Sequence, residues 1–198
     1  MKRSLSILFF AVLGSLALVV VVLAAVMYTG AYNVSAAQEH PALLRWVLVS
    51  VRESSIERRA RDVQVPVLED EASVDRGFRS YREMCVVCHG RPGGERSPLA
   101  KGLNPQAPDL TRPDHDMSAA ELFWVMKNGV RMTGMPAWGR THSDAELWDL
   151  VAFVKALPNI SAAQYDALDR RLPPGHDDDH HDNPMSHHDE GGREPHAH

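Results

Sequence analysis

The sequence predicts an all-α protein: one membrane-length apolar helix, an amphipathic helix, and a small helical domain ending in a polar tail. Three observations carry this. The run from Leu5 to Met27 is almost wholly apolar and holds no charged residue. Apolar residues recur at helical spacing through 40–61 and again through 144–157. Two Ser-x-x-Glu capping boxes, at Ser118 and Ser143, each open such a stretch. The chain of 198 residues carries a net charge of -5 and gives no reason to expect a nucleic-acid partner. Composition divides it into residues 1–30, an anchor; 31–70, an amphipathic helix and linker; 71–160, the domain; and 161–198, a His/Asp-rich tail expected to be disordered.

The anchor is read from length. Roughly 20 apolar residues cross a bilayer as a helix, and Leu5 to Met27 supplies that. Lys2 and Arg3 precede it, so the positive-inside bias puts the amino terminus in the cytoplasm and the rest of the chain outside. A cleaved signal peptide is the competing reading, with Val34-Ser35-Ala36 as its small-residue site. Its apolar core would run only about 7–15 residues.

From His40 to Arg61, Leu43, Leu44, Val47, Leu48 and Val51 form one stripe, with Pro41 suited to the first turn and arginines elsewhere. Such a helix has three uses: lying on a bilayer surface, docking a membrane partner, or packing on the domain. Val65-Pro66-Val67 and the acidic run Glu69-Asp70-Glu71 read as a linker.

Residues 74–88 are expected to form the first helix of the domain, leading into Cys85-Val86-Val87-Cys88-His89. Two thiols three apart on one helical turn suit addition to the two vinyl groups of a porphyrin, and the following imidazole suits its iron. Zinc would want four ligands, and the chain has only these two cysteines. A dithiol redox pair is expected in a strand-helix-strand setting that this stretch lacks. A disulfide would leave His89 unexplained.

Residues 90–111 are rich in Gly and Pro without periodicity and read as an irregular loop. Ser118-Ala119-Ala120-Glu121 opens a helix that stops at Asn128-Gly129. It delivers the chain to Gly134-Met135-Pro136-Ala137-Trp138, where nothing in a helical or strand pattern requires a methionine and a thioether can meet iron. Met132 is the rival sulfur, and His142 a rival imidazole that more simply precedes the next helix; Met126 belongs to an apolar helix face. The last helix spans about 144–157, with Leu147, Leu150, Val151 and Val154 on one stripe, and stops before Pro158.

Cys85 to His89 together with the Met135 loop, in this order, resembles the small single-haem c-type cytochromes, over roughly residues 70–160. The resemblance implies a cytochrome c fold around one covalent haem c, with Cys85 and Cys88 as attachment points and His89 and Met135 as axial ligands. It implies close crossing of the first and last helices, with Gly77 and Tyr81 facing Leu150 and Phe153. It implies that Pro108 accepts the hydrogen bond of the haem histidine, with Pro98 and Pro105 as rivals; Arg131 and Trp138, which flank Met135, are then candidates to bond the propionates, with a solvated Arg131 as the competing reading. It also places the domain in the bacterial periplasm, tethered to the inner membrane, as a one-electron carrier rather than an enzyme. Its partners would be redox proteins or the subunits of a larger membrane oxidoreductase. Two other readings stay open: labile Met135 ligation with gas binding, and a metal-handling or sensing role for the tail. There His180, His181, His187 and His188, among carboxylates, suit a divalent transition metal.

Overall fold

The computed structural model describes residues 2–68, 70–113 and 117–172, and among them every regular element is helical. In chain order these are α1 (Lys2–Thr29), α2 (Ala42–Ala60), α3 (Glu71–Ser80), a π-helical turn (Tyr81–Cys85), α4 (Val86–His89), α5 (Pro98–Gly102) and α6 (Ala119–Asn128). A 3₁₀ turn (Trp138–Arg140), α7 (Asp144–Ala156), a second 3₁₀ turn (Leu157–Asn159) and α8 (Ala162–Arg171) follow.

α1 is long and apolar enough to cross a membrane, with a mean hydropathy of 3.0 and none of that window buried against the rest of the chain. Its leucines and valines are exposed on all sides, the pattern of a helix made for an apolar solvent. α2 begins after Pro41, and its apolar stripe is not what binds it to the domain. Ile56 and Ala60, from another face, are the buried residues, and α2 packs on α6.

The domain is organised on the crossing of α3 and α7. Asp70 caps α3 by accepting from the amides of Ala72 and Ser73 at 3.4 and 3.2 Å, so the helix starts earlier than residue 74, where the apolar pattern begins. Gly77 meets the α7 backbone at Asp149, and a Cβ built there would lie 2.8 Å from the Cβ of Phe153. Arg76 clasps both carboxylate oxygens of Asp149, at 2.6 and 3.0 Å, beside the contact. Phe78, Tyr81 and Phe153 pack edge-on or tilted with centroids 5.1–5.5 Å apart, and all three are fully buried with Leu150 and Val154. Each such side chain stabilises the fold by about 1.5–3 kcal/mol through burial. On the other side of α7, Trp148 stacks on Phe123 of α6 at 4.1 Å.

Three sequence expectations change here. The helix over 74–88 is broken in kind, though not in course: the Val86 amide bonds back five residues to Tyr81 O, making a π turn between α3 and α4. The tail boundary also moves, since residues 162–171 form α8. Ser161 and Gln164 make a third capping box, and Tyr165 is 2% exposed, stacked edge-on against Phe78 at 5.1 Å. Ion pairs Arg82–Asp169 at 2.9 Å, Arg91–Asp166 at 2.8 Å and Arg171–Asp75 at 2.6 Å fasten the same helix. A single buried tyrosine between polar residues is too sparse a period to mark a helix in sequence. The reading of 90–111 as wholly irregular also gives way at α5, which Ser97 caps and Pro98 opens.

Candidate functional site

The π turn sets the site. Tyr81, fully buried, donates its hydroxyl to Gly90 O at 2.7 Å, tying the start of the turn to the residue just past His89. Burial pushes its phenol far above the ordinary range, so it stays a neutral donor. Cys85 ends the π turn and Cys88 and His89 end α4, which stops at Gly90 with φ of +78°. Cys85 is buried, Cys88 half-buried, and the two are not joined as a disulfide. Burial, with a smaller contribution from Cys88, pushes the Cys85 thiol up to about 12.

His89 Nδ1 lies 2.9 Å from Pro108 O. A carbonyl only accepts, so Nδ1 carries the hydrogen and Nε2 is left with its lone pair free for a metal. Burial lowers the imidazole pKa, and the Pro108 bond partly opposes it, leaving the ring in the neutral form that ligation requires. Of the three prolines that sequence offers, the contact is made by Pro108. The loop is held around it: Arg96 donates to Ala107 O at 3.0 Å, Ser97 donates its hydroxyl to Val87 O, and Asp109 accepts from the amide and hydroxyl of Thr111 at 3.1 and 2.7 Å.

Met135 sits in a loop closed on itself. Val130 N donates to Met135 O at 3.2 Å, and Thr133 Oγ1 accepts from Met135 N at 3.1 Å while donating to Val130 O at 2.7 Å. Gly129, at φ of +66°, lies against the far side of this loop, where a Cβ would come within 2.8 Å of Met135 O and of the Ala137 amide nitrogen. The Met135 side chain packs half-buried on the same core as Cys85. Met132, at the loop apex with φ of +61°, is 82% exposed.

The other residues singled out in sequence fall as follows. Met126 is core, and Trp138 is half-buried against the core and edge-on to His142 at 5.6 Å. His142 lies 2.9 Å from the Thr141 hydroxyl, just before the capping box of α7, and Arg131 is exposed on the loop. His180, His181, His187 and His188 lie outside the described residues. Sequence reading missed Thr133 and the Tyr81 hydroxyl, because their roles exist only once a loop closes. It also missed Asn104, whose amide nitrogen donates to Ala36 O and Gln38 O at 3.0 and 2.7 Å, fastening the juxtamembrane segment to the loop.

The donor set suits a haem. It offers two unpaired thiols on one turn, a neutral imidazole with one nitrogen free, a braced thioether, and half-buried apolar side chains at Met84, Val86, Met117 and Trp138. Among the described residues, no group of three or more His, Cys, Asp or Glu side chains is placed to hold a bare metal ion.

Comparison with known proteins agrees. Residues 72–154 match the family model described as cytochrome c oxidase, cbb3-type, subunit III. A search of curated proteins found no match. The match starts within α3 and ends within α7, so it takes in the helix crossing, the Cys85–His89 turn and the Met135 loop. This part of the chain is a c-type cytochrome domain, an electron-carrying module built for haem c.

Proposed function

We propose that the chain is a membrane-tethered carrier of single electrons, with one haem c joined to Cys85 and Cys88 and ligated by His89 and Met135. The haem would be held by the Cys85 and Cys88 thiols, the His89 imidazole and the Met135 thioether, and would supply an iron couple that gains and loses one electron. The chain's own residues position and protect. Pro108 orients the His89 ring and raises its basicity, the Tyr81 hydroxyl holds Gly90 beside it, and Thr133 fixes the backbone that carries Met135. The observation that carries the reading is the 2.9 Å bond from His89 to Pro108 O, which aims the free ring nitrogen of a turn that also bears two open thiols.

The test is covalent haem. Full-length protein made alongside a haem-maturation system should retain one haem per chain through acid-acetone extraction, and Cys85→Ala with Cys88→Ala should lose it. A colourless wild-type product refutes the proposal. The positive residues at the amino end of α1, Lys2 and Arg3, support a domain on the outer, periplasmic side of an inner membrane.

A second reading is favoured by the description of the matched family: the domain serves as the haem subunit of a larger membrane oxidoreductase. Purification from native membranes distinguishes the two. A stoichiometric complex that survives gel filtration supports the subunit, and a chain that elutes alone supports the shuttle.

A further inference from the structure

α2 carries two faces of opposite use. Ile56 and Ala60, with half-buried Val49 above them, look toward the domain. At helical spacing, Leu43, Leu44, Val47, Leu48 and Val51 fall within an arc of roughly 140° on the opposite side. Four of them are well exposed, Leu43 at 73% and Val51 at 62%. The apolar stripe that sequence marks is therefore left uncovered by the domain.

Three observations say what covers it. The stripe ends within the helix: the same arc continues through Ser54 and Ser55 to Arg58, Arg59 and Arg61, and residues 42–61 hold five arginines against two glutamates. An apolar start and a basic finish suit the boundary between acyl chains and anionic headgroups, whereas a protein groove would ask for one character throughout. The stripe follows the membrane-length helix directly, across residues 30–41. That connection is also folded, with Tyr32 Oη 2.8 Å from His40 Nδ1 and Asn104 holding Ala36 and Gln38, so the domain stays where α1 ends.

We propose that the outer face of α2 lies in the lipid–water interface of the membrane that α1 crosses, its apolar half sunk among acyl chains and its arginines toward anionic headgroups. The proposal rests on α1 being an uncleaved anchor. Because the inner face of α2 grips α6, which leads into the Met135 loop, the bilayer then holds the haem domain in one orientation instead of letting it swing on a tether.

The test uses full-length protein with haem attached, in vesicles of phosphatidylcholine and phosphatidylglycerol, carrying a nitroxide on one introduced cysteine: Val47→Cys, Val51→Cys or, at an exposed position of α3, Arg79→Cys. More than one label per chain refutes haem attachment, and the collision ratios are then read in the Cys85→Ala, Cys88→Ala background, where only the introduced label contributes. For insertion of about 5–10 Å, labels at 47 and 51 should collide about threefold more with oxygen, relative to a water-soluble nickel chelate, than the label at 79. Adding Val51→Asp should bring the Val47→Cys label down to the ratio at 79. Equal ratios at all three sites overturn the proposal. So does protection at 47 that is found in native membranes and lost in pure lipid, which would assign the face to a protein partner. A chain that carbonate washes from the vesicles removes the anchor and this proposal with it.

Discussion

Replacing Gly77 by alanine places a methyl group where α3 meets the backbone of α7. The new Cβ would stand 2.7 Å from the Asp149 carbonyl carbon and 2.8 Å from the Phe153 Cβ, and closer still to the Asp149 oxygen. Carbon contacts are comfortable at about 3.5–4.0 Å, so the helices must part by about 1 Å, a gap that forfeits a quarter to a half of each contact across the crossing. That crossing carries Phe78, Leu150 and Phe153, each 0–1% exposed. It also carries the Arg76–Asp149 clasp. Overpacking costs about 1–3 kcal/mol even without such a loss, and alanine returns about 1 kcal/mol as the better helix former. With roughly 1 kcal/mol for the contacts weakened across the crossing, the net is a destabilisation of about 1–3 kcal/mol, or a fall in Tm of roughly 4–24 °C for a domain of this size. Thermal unfolding of the haem-loaded protein, followed by circular dichroism, reads it directly. Gly102→Ala is the control, since a Cβ there meets nothing within 4 Å. A Gly77→Ala protein melting within about 2 °C of wild type would refute the close crossing on which the domain is built.

Thr133→Val removes both hydrogen bonds of its hydroxyl, and the Met135 ligand should become exchangeable: the weak near-infrared sulfur-to-iron band fades and the reduced protein takes up carbon monoxide. Met135→Ala should abolish that band outright and Met132→Ala should leave it, and the reverse pattern would reassign the ligand. The Glu146 carboxyl is held below its ordinary range by the hydroxyl and then the amide of Ser143. Folded protein therefore binds that proton later than unfolded, and the stabilisation, complete above a pH of about 4.3, is lost as pH falls through the lower folded value. Denaturant titrations should show Glu146→Gln losing less stability than wild type over that acid range. Tyr165→Ala should cost about 3–5 kcal/mol in the same titrations; a neutral result would mean that α8, which lies outside the family match, is not part of the folded unit.

Much of this was legible in sequence wherever chemistry or local hydrogen bonding acts within a few residues. Cys85, Cys88 and His89 declare themselves by spacing, α6 and α7 by their capping boxes, and α1 by length. What escaped depends on distant partners. The apolar stripe of α2 was visible, but which face the domain would use was not, because Ile56 and Ala60 are unremarkable until α6 arrives. α8 hid behind polar composition, its place secured by Tyr165 and by ion pairs with Asp75 of α3, Arg82 of the π turn and Arg91 in the loop after His89. Thr133 resembles any loop threonine until Val130 and Met135 close around it. Of the three prolines, only the path of the folded loop shows which carbonyl reaches the imidazole.

The five residues from Tyr81 to Cys85 give one rod two independent faces. A π turn takes in one residue more than the α-helix would, which turns everything beyond it by about 100° relative to an unbroken helix. Upstream, Gly77 and Phe78 look at α7; downstream, Cys88 and His89 look elsewhere, and the angle between these aims is set by a single inserted residue. Deleting Glu83 would restore the regular winding and swing Cys88 and His89 away from Pro108 without changing either surface's composition. The aim of the donor turn is thus a matter of counting, adjustable in whole-residue clicks, while the contact that holds the domain together goes undisturbed.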